Sequence, residues 1–226
     1  MDMYGQKDKS IPQKTVMKLF EFIILAVSFR ILFGNGYAAI TGYRGETGLF
    51  SRRALLFVFN CIVFIRMTFT MFYLIKRKIP WEEAFSIPFA FALYYIGFAM
   101  LGYTCRTELG FIDDIAIALF LSGSYLNTGS ELARDKWKKD PANKGKLYTI
   151  GLFRYSMHIN YFGDLLWVIA YTIVTRNIYS VFIPVFLFSF FAFYNIPKLD
   201  KYLAGRYGKQ FEEYSERTKK FIPFIF

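Results

Sequence analysis

The sequence predicts an all-α polytopic membrane protein with about six transmembrane helices and a C-terminal amphipathic cytoplasmic helix. Three observations predict it. Of 226 residues, 55% are hydrophobic, including 28 Phe and 17 Tyr, whereas soluble domains sit nearer about 45–50%. The apolar residues gather into runs at about 17–33, 54–75, 84–104, 112–130, 161–175 and 178–197, the length scale of a bilayer core. Basic residues sort by side. The N-terminal tail, the 76–78 loop, the 134–160 loop and the C-terminal tail hold twenty Lys and Arg, and the opposite loops hold five: Arg44, Arg52, Arg53, Arg106 and Arg176. By the positive-inside rule both termini are cytoplasmic, in a bacterial inner membrane or the endoplasmic reticulum.

That sorting absorbs most of the net charge of +11 as orientation and anionic-lipid contact, so no nucleic-acid partner is expected. Cys61 and Cys105 form no pattern, and neither a disulfide nor a metal site is expected. The first run, with no small-residue cleavage site after it, reads as a retained anchor. It carries Glu21 and Arg30, which places it partly in the interface. In KRKIPWEEAF, residues 76–85, Pro80, Glu82 and Glu83 suit a helix N-terminus and Trp81 the headgroup level, giving a cytoplasmic hairpin. Tyr94 and Tyr95 are adjacent in the third span, so at least one faces the bundle interior.

The fourth span leaves the membrane as SGSYLNTGSELARDKWKK. Asn127, Glu131, Asp135 and Lys138 recur there as one helical stripe. Asn127 lies about a turn deeper than the rest, where a lone amide needs a partner. The basic loop that follows can meet phosphate groups, but it matches neither a P-loop nor a GxGxxG fingerprint, which excludes a Rossmann reading. Residues 152–164, LFRYSMHINYFGD, set the single histidine, His158, beside Asn160, Tyr161 and Asp164 at a span mouth. Polar groups clustered at that depth point to a ligand or a proton. Pro197 closes the last span. Leu199, Leu203, Tyr207, Phe211, Tyr214 and Phe221 then recur at helical spacing along an amphipathic tail.

These features together resemble the steroid 5-alpha-reductase C-terminal family, in a wider group with sterol reductases and isoprenylcysteine carboxyl methyltransferases. The likeness covers about residues 112–226. GLFRYSMHINYFGD, residues 151–164, is similar to the pattern G-L-[FW]-x-Y-S-R-H-P-N-Y-x-G-E, with Met157, Ile159 and Asp164 departing from it. LNTGSE, 126–131, resembles L-N-x-x-S-D. KLDKYLAGRYG resembles a sterol-reductase pattern with Lys198 and Asp200 standing for Arg and Glu, and the FEEYSERTKKFIPFIF terminus resembles the steroid reductases.

The resemblance implies a membrane enzyme acting on CH–CH bonds, which reduces a conjugated enone or alkene in a steroid-like or other apolar lipid with NADPH. Residues 1–111 would be the substrate side and 112–226 the half with the cofactor site. Asn127, Glu131, Asn160 and Asp164 would hold ribose and carboxamide groups, and Lys138 and Arg154 phosphates. Tyr155, His158, Tyr161, Lys198 and Asp200 complete the implied cofactor set. Tyr94 and Tyr95 are candidate proton donors by location. Two alternatives stand beside this reading: an S-adenosylmethionine-dependent methyltransferase of the isoprenylcysteine type, which shares the H-P-x-Y-x-G block, and a catalytically silent membrane subunit.

Overall fold

A computed structural model describes residues 8–226, and among them every regular element is helical. The helices are α1 (Ile11–Phe33), α2 (Gly36–Thr41), α3 (Phe50–Leu74), α4 (Trp81–Gly102), α5 (111–138), α6 (Ile159–Thr175), α7 (Ile178–Tyr207) and α8 (Lys209–Arg217). Three of them, α3, α4 and α7, are long and apolar enough to cross a membrane, and α6 is a shorter apolar helix. The protein is an integral membrane protein. Pro80 and the acidic pair Glu82–Glu83 open α4 as expected, and Glu83 holds Arg77 through two hydrogen bonds of 3.0 and 2.6 Å.

Four helices contain a wider π-turn: Thr70–Leu74 in α3, Leu93–Gly97 in α4, Tyr125–Gly129 in α5 and Phe191–Asn195 in α7. Each inserts one residue into the i→i−4 ladder and re-aims the side chains around it. The last of these corrects a sequence expectation. Pro197 does not close the final span, because α7 continues through it to Tyr207. A helix-interior proline loses one hydrogen bond and presses on the carbonyl four residues back. That carbonyl, of Phe193, lies inside the π-turn, where the ladder is already opened. The break comes instead at Gly208, whose φ of 50° is cheap only for glycine.

Packing divides the chain into two compact units, Met1–Ala118 with Val168–Ile183, and Leu119–Trp167 with Pro184–Phe226. In unit 1, α1 lies against α3 and α4. Its core includes Leu56, Phe59, Val63, Phe98 and Tyr171, each at most 2% exposed, and Tyr171 stacks on Phe98 at 4.9 Å. Asn60 joins this core by accepting from the Tyr171 hydroxyl and donating to Ser28 Oγ, at 2.8 and 2.9 Å. Arg52, wholly buried, spends all five N–H donors. They go to both Asp113 oxygens and to the carbonyls of Thr107, Glu108 and Val174, while Arg176 adds a second guanidinium to Asp113 at 2.9 Å.

In unit 2, two backbones approach closely. A Cβ on Gly163 would lie 2.5 Å from the Asn127 nitrogen and 2.6 Å from the Gly123 oxygen, so only glycine fits this crossing. The C-terminal segment is clasped onto the 156–158 backbone. Met157 N and His158 N donate to Lys219 O and Lys220 O at 2.8 and 3.1 Å, and Ser156 Oγ donates to Phe221 O at 2.7 Å. Beneath the clasp, Met157, Phe211 and Tyr214 form a buried cluster, and the Tyr214 hydroxyl donates to Phe153 O at 2.6 Å. Along the amphipathic tail Phe211, Tyr214 and Phe221 are buried, and Leu199, Leu203 and Tyr207 are half-buried.

Candidate functional site

Unit 2 contains the residues that the sequence singled out for a cofactor. Asn127 sits inside the π-turn of α5, 8% exposed, and its Nδ2 donates to the Asn160 carbonyl at 3.2 Å. The close Gly123–Gly163 crossing is what lets these two asparagines meet. One turn on, Glu131 uses Oε2 to hold Arg134, while its buried Oε1 has no hydrogen-bond partner among the described residues. Such an orphaned acceptor costs about 1–3 kcal/mol unless something fills it. The stripe then grades outward: Asn127 buried, Glu131 and Asp135 half-buried, Lys138 exposed. Crowding by protein and then the nearby Arg134 guanidinium push the Lys138 ammonium down to about 8, with Arg206 adding to the effect.

His158 is 1% exposed, and its Nε2 lies 2.8 Å from Asp200 Oδ1. The second Asp200 oxygen lies 3.5 Å from Lys220 Nζ. Tyr161 is sandwiched between two near-parallel rings, His158 at 5.6 Å and Phe191 at 4.6 Å. The π-turn of α7 carries Phe191 into that stack. Asp164 accepts from Trp167 Nε1 at 2.8 Å. Arg154, exposed, donates to the Tyr155 hydroxyl and lies over its ring. Lys198 is exposed and stands over Tyr194. Three groupings therefore form: Asn127 with Asn160, Glu131 with Arg134 and the neighbouring Lys138, and His158 with Tyr161 and Asp200. Asp164, the Arg154–Tyr155 pair and Lys198 have local partners of their own.

Tyr94 and Tyr95 belong to unit 1. Both are buried, at 7 and 0% exposure, because the π-turn at Leu93–Gly97 turns adjacent residues inward. The Tyr95 hydroxyl donates to Glu21 Oε1 at 2.8 Å, and Glu21 Oε2 accepts from Lys18. Glu21 is 1% exposed, so its carboxyl group lies at an internal polar site. Sequence reasoning did not assign Glu21 or Lys18 a role. The signal was there, since ionisable residues in an apolar span are costly and face partners or cavities.

A membrane helical fold with an amide- and carboxylate-rich helix mouth defines the class. Within it, residues 78–218 match the family described as protein of unknown function (DUF1295), and the chain belongs to that family. Curated relatives carry names of two kinds. The probable O-methyltransferase ustE of Ustilaginoidea virens is 34% identical over 39% of this chain and 31% of its own. Protein-S-isoprenylcysteine O-methyltransferase B of Arabidopsis thaliana is 32% identical over 35% of this chain and 41% of its own. The 3-oxo-5-alpha-steroid 4-dehydrogenase 2 of Rattus norvegicus is 28% identical over 50% of this chain and 42% of its own. The chain thus spans less than half the length of these relatives, whose names match the wider group that the sequence resembles.

Proposed function

We propose that the protein is a membrane-embedded, NADPH-dependent reductase of a conjugated enone in a steroid-like or other apolar lipid. The observation that carries the reading is the Tyr95–Glu21 pair, a hydroxyl and a carboxylate 2.8 Å apart in an apolar interior. Enone reduction requires a proton at the carbonyl side for every hydride delivered, and a buried tyrosine hydroxyl suits that task. Methyl transfer to a carboxylate requires no such donor.

The donors and acceptors of unit 2 fit the cofactor. The orphaned Glu131 oxygen and the Asn127 and Asn160 amides suit ribose hydroxyls and a carboxamide, while Lys138, Arg134 and Arg154 suit phosphates. Tyr161, already stacked between two rings, offers a rigid aromatic wall. When bound, reduced nicotinamide supplies the hydride. Tyr95 would polarise the substrate carbonyl by hydrogen bonding and then release its proton to that oxygen. The apolar surroundings exclude water from the exchange.

A second reading, S-adenosylmethionine-dependent methyl transfer, is favoured by the two higher-identity relatives, both named as methyltransferases. The choice is made by thermal shift in detergent. A ligand that binds only the folded state at 100 times its dissociation constant adds about 2.7 kcal/mol. NADPH is expected to give that shift and S-adenosylmethionine little, and the reverse ranking moves the assignment to the methyltransferase. The accompanying topology is six spans with both termini cytoplasmic. Cysteines introduced in the tail and in the 106–110 loop should label from opposite sides, and labelling from one side ends that topology.

A further inference from the structure

Lys14, Lys18 and Glu21 recur along one face of α1. All three are buried in unit 1, at 2, 9 and 1% exposure. Lys14 Nζ donates to the Ile75 carbonyl at 2.7 Å. Lys18 Nζ donates to Glu21 Oε2 and to Phe64 O, and lies 4.1 Å from the centre of the Phe64 ring. Lys14 faces the Asp8 carboxylate, and Lys18 pairs with Glu21 deep in unit 1. Buried ion pairs are a poor source of net stability. Lysine has one property arginine lacks: its ammonium gives up a proton within reach of physiological pH when buried.

We propose, resting on the reductase reading, that Lys18 reloads the Tyr95 proton donor through Glu21. In each cycle the Tyr95 O–H bond breaks as a new O–H forms on the substrate enolate. Glu21, protonated at rest beside a neutral Lys18, returns its proton to the Tyr95 oxygen after turning its carboxyl group. Lys18 then takes one proton from water and passes it to Glu21 Oε2. One proton is consumed per hydride, and the residues end as they began. The charged and titratable groups near the relay are Tyr171 and Arg66 at Tyr95, and Lys14 with its neighbours Asp8 and Arg77.

The test uses the full-length protein in detergent with Lys18→Arg and Lys18→Met variants and a 3-oxo-Δ4 steroid as probe. Arginine keeps the charge and the pairing with Glu21, but it does not deprotonate. A structural ion pair is rescued by arginine; a proton relay is not. The expected result is a kcat lower by about a hundredfold in both variants, the size of a lost acid–base group, with KM within twofold for Lys18→Arg. Parent-like turnover in Lys18→Arg overturns the relay. If the parent oxidises no NADPH with the probe, the reductase reading fails for that probe and a substrate-free measurement decides the relay. The parent should then show an infrared band of protonated Glu21, assigned by its loss in Glu21→Gln, that is absent in Lys18→Arg. A parent without this band, or a band of equal size in both proteins, overturns the proposal.

Discussion

Asp113 in unit 1 and Glu131 in unit 2 are both carboxylates on α5, and their surroundings differ. Both Asp113 oxygens are occupied, by two guanidiniums and the Gly110 amide, and its principal partner Arg52 has no donor left over. Glu131 has one oxygen on Arg134 and one buried with no protein partner among the described residues. Saturation by protein marks a group that holds the fold together. An acceptor left over, in a cluster of amides and cations, marks a group with something still to bind. The comparison also bears on the arginines of the sparsely charged loops: Arg52, Arg53 and Arg176 have partners that tie unit 1 together, whereas Arg106 pairs with Glu46 at the surface.

The largest effect should come from breaking the saturated site. Asp113→Ala strands two guanidiniums, one of them wholly buried, and should cost about 3–5 kcal/mol, read as loss of thermal stability in detergent. A stable Asp113→Ala protein breaks the comparison. Next is Tyr95→Phe, which keeps the ring and its packing. It should leave the fold intact and lower NADPH-dependent turnover by about a hundredfold. Replacing Asn127 by Leu should weaken NADPH binding about ten- to a hundredfold through a lost hydrogen bond of about 1–3 kcal/mol. Because Asn127 also donates to Asn160 O, it should cost about 1 kcal/mol of stability as well. If Asn127→Leu unfolds readily yet binds nucleotide like the parent, the asparagine is helix–helix glue.

The smallest expected effect sharpens the open side of the comparison. Lys138, pushed down to about 8, is charged below that pH and neutral above it. Affinity for a phosphate-bearing cofactor should therefore fall severalfold as pH rises through about 8, measured by titration calorimetry. Lys138→Met should flatten that slope.

Much of unit 2 was legible in the sequence because its clues are local. The 151–164 block and the Asn127–Lys138 stripe are each read within a few turns of chain, as is Pro80 at the start of α4 in unit 1. What escaped was long-range or geometric. Nothing local says that Glu21 meets Tyr95, 74 residues away, and an apolar span with one carboxylate reads equally well as an interfacial helix. The π-turns escaped for a different reason: they are set by packing against neighbouring helices and have no residue signature. Pro197 alone predicts a stop, whereas the opened ladder lets α7 continue, and no local pattern shows how Tyr94 and Tyr95 are both buried.

The clasp between Ser156 and Phe221 ties the polar motif to chain made 65 residues later. At translation speeds of about 5–20 residues per second, that is roughly 3–13 s. During this interval α1 to α4 are already made and α6 and α7 are still being made, while the motif's backbone donors lack their acceptors. The nascent protein therefore passes through a stage in which its first helices exist and its polar motif is still unpaired. Premature release of the chain at that stage would leave an inserted but unfinished molecule, a natural substrate for membrane quality control.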